Sequence, residues 1–530
     1  MTVKRLLKTI FGRLTVVLAA IILQIWLFVY IVFQLGVEYK YVDLGIRLLA
    51  VIFVFWILNN WMNPAYKLLW SILILAVPVV GVVLYYIMGQ SRVTRQVRRR
   101  YESAAALCSP LMQQKEAVAL SLRQADEGAY RQSSYLSGDS GFPAYHNTKT
   151  VFFPTGEEMY ARMKEELEKA KHFIFIEYFI VAEGEMWDGI LDILKNKVQE
   201  GVDVRLIYDD IGSIGTLPMG YFKKMRALGI KCVVFNRFVP AASIFLNNRD
   251  HRKILVIDGH TAFTGGINFA DEYINRIVRF GYWKDNGIML HGEGAFSFTV
   301  MFLQMWSVIT KSDRELKDLV RFAGGRDSLM EKRAPFSSRL YHKEQFEDDG
   351  YVQPYCDTPL DNETVGENVY LNIISQAHDY VWIYTPYLII DNEMMTALTL
   401  AAKSGVDVRI VTPGIPDKRV AYLLTRSCYR QLIESGVRIY EYTPGFIHAK
   451  TVVSDDKIAT VGSVNFDYRS LYLHFECGVW MYGTSAVTQI KKDCEETFSK
   501  CRKITDDWLK HQNILVRMMA AVIKPLAPLL

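Results

Sequence analysis

The stretch "HRKILVID" at 251–258 returns as "HAKTVVSD" at 448–455, and this recurrence limits the possible folds more than any other feature of the chain. His251, Lys253, Asp258, Gly265 and Asn268 each have an identical counterpart 197 positions later, at His448, Lys450, Asp455, Gly462 and Asn465. Five matches at one offset without a gap mark a duplication of one folding unit. The flanking words agree. "HFIFIEYFI" (172–180) and "GVDVRLIYDD" (201–210) are answered by "YVWIYTPYLI" (380–389) and "GVDVRIVTPG" (405–414). Each pair reads as a buried strand, a helical stretch and a second strand. That alternation, found twice, predicts an α/β sandwich in each half, with helices covering a mixed sheet.

The repeated motif has a chemical reading of its own. Side chains alternate along a strand, so His251 and Lys253 point the same way. "ILVI" then crosses the core, "DGH" turns and "TAFT" returns as the antiparallel partner, which brings "GGIN" (265–268) back beside the histidine. An imidazole, an ammonium, the Asn268 amide and glycine backbone around Gly265 make a pocket for phosphate, and His448, Lys450, Asn465 and Gly462 repeat it. Asp258 and Asp455 fall at the turns, far from the histidines, and read as holding the hairpins. Docking the halves about an approximate two-fold axis brings the two histidines face to face across one site. Such a pair suits displacement at a phosphodiester: one neutral imidazole attacks phosphorus while the other, protonated, delivers a proton to the leaving alkoxide. Lysines and asparagines stabilise the equatorial oxygens. No metal is expected, because lysine is not a usual zinc ligand and no HxxxH or HExxH lies nearby. Asp285 and Glu476, each downstream of a motif, are candidates to orient the imidazoles, the alternative being ordinary surface carboxylates.

Composition bears on the amino terminus. Hydrophobic residues make up 51% of the 530, and they concentrate in uncharged runs of 21 at 15–35 and 68–88, each long enough to cross a bilayer as a helix. The run at 48–58 is shorter, with Arg47 at its edge, and reads either as a third span or as a segment within the interface. Lys4, Arg5, Lys8 and Arg13 precede the first run and Arg92, Arg95, Arg98, Arg99 and Arg100 follow the last, so the positive-inside rule puts both flanks, and the catalytic part, in the cytoplasm. Two full spans satisfy this and three do not. The expected organisation is a membrane region (1–90), a basic helical neck (91–141), two repeated domains (142–340 and 341–512) and an apolar tail (513–530). That tail reads either as an interfacial helix or as a helix packed on the body. Net charge is only +5, much of it in the membrane flanks, which favours anionic lipid over nucleic acid as a partner. The 7 cysteines lack paired spacing and read as reduced.

With these residues on the page, the chain resembles the phospholipase D superfamily, whose members carry two HxKxxxxD motifs, each followed by GG or GS and an Asn. Within it the chain is similar to the bacterial cardiolipin synthases, on "NPAYKLLWSILILAVPVVGVVLYYIMG" (63–89), "IEYFI", "GVDVRLIYDDIGS", "NNRDHRKILVIDGHTAFTGGINFADEY" and "FIHAKTVVSDDKIATVGSVNFDYRSLYLHFE". The resemblance covers nearly the whole chain. It implies two phospholipase D-like domains sharing one active site, a multi-pass protein of the cell membrane, and conversion of two phosphatidylglycerol molecules into cardiolipin and glycerol without a cofactor. His251, Lys253, Asp258, His448, Lys450 and Asp455 would form the catalytic set. His251 would be the nucleophile and His448 the acid, though their similar settings leave the roles exchangeable. Asn268, Asn465, Gly265, Gly462, Asp285 and Glu476 would line the substrate site. The chain departs from the commonest wording at His474, where many relatives have Asn. The resemblance leaves oligomeric state and acyl preference open. It also leaves a hydrolase releasing phosphatidic acid as an alternative, with a membrane-tethered nuclease disfavoured by the balanced charge. A scaffold on a decayed fold is disfavoured because both motifs are intact.

Overall fold

The computed structural model describes residues 26, 30, 40–60, 62–86, 94–138, 140–237, 248–323, 336, 349–361, 363–511 and 514–529. Both halves build the same sheet. In the first, strands lie side by side in the order Thr148–Phe153, Gly287–Gly292, Thr261–Gly265, Lys253–Ile257, Phe173–Tyr178, Asp203–Asp209, Lys231–Phe235. In the second the order is Tyr351–Asp357, His474–Tyr482, Ile458–Gly462, Thr451–Ser454, Tyr380–Tyr384, Asp407–Pro413, Arg438–Tyr442, with Cys501–Lys503 added at the edge. The orders coincide place by place, so the repeat in sequence is a repeat in topology. Phe173–Tyr178, Asp203–Asp209 and Lys231–Phe235 run parallel, whereas the motif hairpin and its neighbours run antiparallel. The sheet is therefore mixed, as expected.

Strand Phe173–Tyr178 is buried at every position, which requires cover on both faces. On the outer face of the first sheet, helices Gly156–Glu168 and Glu185–Gln199 supply it through Met163, Leu167, Trp187 and Leu194. On the inner face both sheets share one core, where Phe175, Val256 and Leu290 of the first join Trp382, Val453 and Val479 of the second. Helix Ala295–Thr310 threads this shared core and is buried along most of its length, as a helix apolar all round must be. The segment expected as a neck is part of the body. Helix Thr94–Cys108 sends Tyr101, Ala104 and Cys108 into the same core, because its basic face is matched by an apolar one.

At the amino terminus the structure redraws the expected spans. The run at 15–35 lies outside the described residues except Trp26 and Tyr30. The run at 68–88 is not one helix: Pro64–Ala76 stops, Val77 takes φ −138°, and Pro78–Leu84 begins anew. Proline has no N–H to continue the ladder and pushes the preceding residue out of the helical region. Among the described residues, the helix long and apolar enough to cross a membrane is Tyr41–Leu58, where the uncharged run in the sequence is only 48–58 because of Arg47. Arg47 pairs with Asp43 at 2.8 Å one turn away. Ile57, Trp70 and Tyr85 of this region pack with Ile389, Leu424 and Tyr468 of the second half and with Ala527 of the tail.

Candidate active site

Each motif strand ends in a hairpin whose turn residues, Asp258 and Gly259 or Asp455 and Asp456, have positive φ, the twist that tight antiparallel hairpins favour. The carboxylate of Asp258 accepts the backbone N–H groups of Lys171, His172 and Phe173, each at 2.8 Å. Asp455 does the same for His378, Asp379 and Tyr380 at 2.8–2.9 Å. Each aspartate thus fastens its turn to the start of the adjacent strand. Six residues of largely extended chain, roughly 20 Å, separate it from the motif histidine, so neither aspartate reaches the reacting centre.

The histidines are joined across the halves. The backbone N–H of His251 donates to Phe475 O at 2.9 Å, and that of His448 donates to Lys284 O at 2.7 Å. Short parallel pairings, Arg249–Asp250 with His474–Phe475 and Gly445–Ile447 with Tyr282–Lys284, carry these contacts. The next residue on each partner strand is a carboxylate. Glu476 receives His251 Nδ1 at 2.9 and 3.0 Å, and Asp285 receives His448 Nδ1 at 2.7 Å. Both orienting carboxylates named from sequence are therefore buried at the histidines, but each serves the histidine of the opposite half. The two motifs form one constellation.

The remaining predicted residues divide. Lys253 and Lys450 are fully buried, and each donates to the carbonyl of its own motif histidine; Lys450 Nζ also lies 2.8 Å from His448 Nδ1. Asn268 accepts from Ile180 N at 3.1 Å and donates to the Tyr273 hydroxyl at 2.7 Å. Asn465 Oδ1 is buried with no hydrogen-bond partner among the described residues. At Gly265 and Gly462 the structure shows a packing reason for glycine. A Cβ at Gly265 would come within 2.5 Å of Asn286 O, and one at Gly462 within 2.4 Å of Cys477 O. They allow the returning strand to close on the strand that presents the carboxylate.

Burial sets the charge states. It drives His448 down to about 4, with Lys450 adding to the effect, and His251 well below its usual value against the pull of Glu476. Asp285 and Glu476 stay ionised: burial works against them, but the histidine N–H and the nearby lysines outweigh it. The site therefore holds neutral imidazoles donating Nδ1–H to carboxylates, which leaves Nε2 with a lone pair. Burial also brings Lys253 down to about 8 and Lys450 to about 7. His251, His474 and Glu476 offer three metal-ligand atoms within 4.8 Å of one another. Two buried ammonium groups beside them make the site fit an anion better than a dication.

Sequence reasoning missed several supporting residues. Arg252 is fully buried and pairs with Glu177 and, at 3.0 Å, with Asp250, which fixes the motif strand. Ser463, at the place of Gly266 in the other copy, donates to Glu476, whereas a Cβ at Gly266 would collide with Asp285. Tyr273 holds Asn268 and sets its ring 5.4 Å from that of His448. The available signal was Glu177, a charge inside the otherwise apolar "FIFIEY".

Comparison with known proteins follows the same lines. The family described as "Cardiolipin synthase, PLD-like domain" matches residues 163–285 and 370–500, and "Phospholipase_D-nuclease N-terminal" matches 48–90. The chain is 45% identical over 477 residues to an uncharacterized protein of Streptococcus mutans serotype c, covering 90% of this chain and 99% of that protein. It is 32% identical to the cardiolipin synthase of Alkalihalophilus pseudofirmus (88% and 90% covered) and to cardiolipin synthase 1 of Bacillus anthracis (92% and 93%). Among solved structures, phosphatidylserine synthase of Haemophilus influenzae Rd KW20 superposes with a TM-score of 0.55 at 16% identity, over 76% of this chain and 99% of that one. This last likeness shows the fold alone.

Proposed function

Because the chain belongs to the cardiolipin synthase family with phospholipase D-like domains, we propose that it transfers the phosphatidyl group of one phosphatidylglycerol to the headgroup hydroxyl of another, giving cardiolipin and glycerol. The observation that carries this reading is the crossed pairing of His251 with Glu476 and His448 with Asp285. It brings two imidazoles, each held by a carboxylate of the opposite half, to one anion-binding centre. One imidazole attacks phosphorus through Nε2, an N–P bond forms, and the P–O bond to the glycerol headgroup breaks. The other imidazole gives its proton to the departing alkoxide. In the second step it takes the proton of the incoming hydroxyl, whose oxygen displaces the histidine.

The substrate itself prepares the acid. Burial keeps both imidazoles neutral, and a phosphodiester anion placed between them favours the proton that one must carry. Lys253 and Lys450 stabilise the equatorial oxygens, and the mechanism needs no metal ion. Asp285 and Glu476 fix tautomers, while Asp258 and Asp455 serve the scaffold. The helix Tyr41–Leu58 and its neighbours would hold the protein in the membrane where both substrates reside, with the catalytic halves on the cytoplasmic side, and this confinement raises the effective concentration of lipid.

Incubating the purified protein with phosphatidylglycerol liposomes and EDTA, followed by mass spectrometry, tests the proposal. Cardiolipin and glycerol in equal amounts are expected. Phosphatidic acid as the sole lipid product would overturn the transfer reading in favour of hydrolysis.

A further inference from the structure

The two sides of the site match in backbone and differ in side chains. In the cross-docked strands, Trp283 and Phe446 flank His448, with ring centroids 5.5 and 5.8 Å from its own. The equivalent places beside His251 hold His474, 5.6 Å away, and Arg249. Further along, the first half has Glu272 where the second, 197 residues on, has Arg469. Arg469 lies within electrostatic range of His474 and of Arg249. The short helix that carries it, Tyr468–Tyr472, packs its two tyrosine rings 5.9 and 6.1 Å from Tyr66 of the N-terminal helix Pro64–Ala76. The His448 side is thus aromatic. The His251 side has one ring, Phe179, 4.9 Å from the imidazole, but it puts His474 and Arg249, the latter 3.5 Å from Asp209, at the equivalent strand positions, and it adjoins the apolar amino-terminal region.

His474 is the most telling residue here. Both its ring nitrogens are buried without a hydrogen-bond partner among the described residues, and Glu476 at 3.8 Å is too far to be one. A buried polar group left unpaired calls for a partner that arrives with function. An imidazole that both donates and accepts complements a hydroxyl.

We propose that the acceptor lipid binds on the His251 side, its attacking hydroxyl bonded to His474 and its own phosphate paired with Arg469. The ligand class is a phosphodiester with a free hydroxyl, which separates it from water or a simple alcohol. The inference rests on the two-step transfer proposed above and adds where the second molecule sits. It also assigns the histidines, because in-line displacement places the nucleophile opposite the entering and leaving oxygens. His448 then forms the bond to phosphorus. His251 gives its proton to the departing glycerol alkoxide, and takes one from the acceptor hydroxyl as the O–P bond forms and the N–P bond breaks. This reverses the order that the family resemblance suggested.

The test compares two acceptors in liposomes of phosphatidylglycerol. Labelled glycerol, which has no phosphate, enters phosphatidylglycerol by exchange, whereas cardiolipin formation uses the phosphate-bearing acceptor. Arg469→Gln should lower the ratio of cardiolipin formation to glycerol exchange by about tenfold or more, and Arg469→Lys should restore part of it. An unchanged ratio in Arg469→Gln, with circular dichroism showing a folded protein, overturns the proposal. Mass-spectrometric mapping of the trapped phosphohistidine gives a second test: an adduct on His448 supports the assignment and one on His251 overturns it. A wild-type protein that shows neither exchange nor adduct overturns the two-step transfer itself, which distinguishes the two failures.

Discussion

At the scale of single residues, Glu476 and Asp285 decide whether the imidazoles present the right nitrogen. Replacing Glu476 by Gln keeps the shape but lets the ring choose its other tautomer, with Nε2 protonated. We expect kcat to fall by about 10²–10⁴-fold, with Tm nearly unchanged. Asp285→Asn should behave alike, and the double variant should lose little more than either single one, since both disable the same step. Steady-state kinetics of the three variants check this. Lys450 supplies a pH prediction. Its folded pKa of about 7 lies below its unfolded value, so between about pH 7 and 10 the unfolded chain binds more protons and this residue's contribution to stability rises with pH. Below that window the buried charge is a full cost. Lys450→Met should therefore be the more stable protein at pH 7, by on the order of 1–4 kcal/mol, and the gap should shrink as pH rises towards 10. Activity should move the opposite way in wild type: kcat/KM falls above about pH 7–8 as Lys450 and then Lys253, at about 8, lose their charge. Denaturant titrations and rate profiles over the same pH range would expose either sign error.

At the scale of elements, the motif hairpins are held by their aspartates. Asp258→Ala leaves three backbone N–H groups without the carboxylate they share, and charge-assisted bonds of this kind are worth about 1.5–3 kcal/mol each. A loss of roughly 3 kcal/mol or more in stability is expected, with activity per folded molecule retained. Loss of activity at unchanged stability would instead make Asp258 part of the chemistry. The hairpins also show what could be read beforehand. Strand, turn and return were legible from "ILVI", "DGH" and "TAFT", because a two-residue period bounded by Asp-Gly has few other solutions. The identity of Glu476 and Asp285 was legible, but their exchange between halves was not. That exchange depends on parallel pairing between Arg249–Asp250 and His474–Phe475, a contact across 225 residues that no local pattern encodes. The break at Val77 and Pro78 was visible in sequence, yet counting uncharged residues ran straight through it. Arg47 stopped the same count too early, since its partner Asp43 sits one helical turn back.

At the scale of the whole molecule, exposed apolar side chains concentrate on the amino-terminal helices and the tail helix, which share one packed cluster. Leu48, Leu49, Ile52 and Phe55 of the helix Lys40–Leu58 are exposed, as are Leu68, Ile72 and Leu75 of Pro64–Ala76. The tail helix Ile514–Ile523 adds exposed Ile514, Leu515, Met518, Met519 and Val522, while Ala520 is buried and Ile523 and Ala527 pack inward on the same cluster as Trp70 and Leu424. The tail is thus docked on the body by one face and bare on the other. In water that bare face is a cost; at a lipid surface each side chain regains part of its transfer free energy. Arg517 and Lys524 on the same segment suit an anionic interface. We therefore expect the tail to set how the body, and with it the Arg469 side of the site, lies against the bilayer. Met518→Glu with Val522→Glu, both at exposed positions (61% and 75%), should reduce turnover in phosphatidylglycerol liposomes by about tenfold and change it much less in detergent micelles, where a flat surface is not needed. Equal losses in the two systems would mean that the tail supports the fold instead. Equal activity in liposomes would mean that the helices upstream suffice to orient the site.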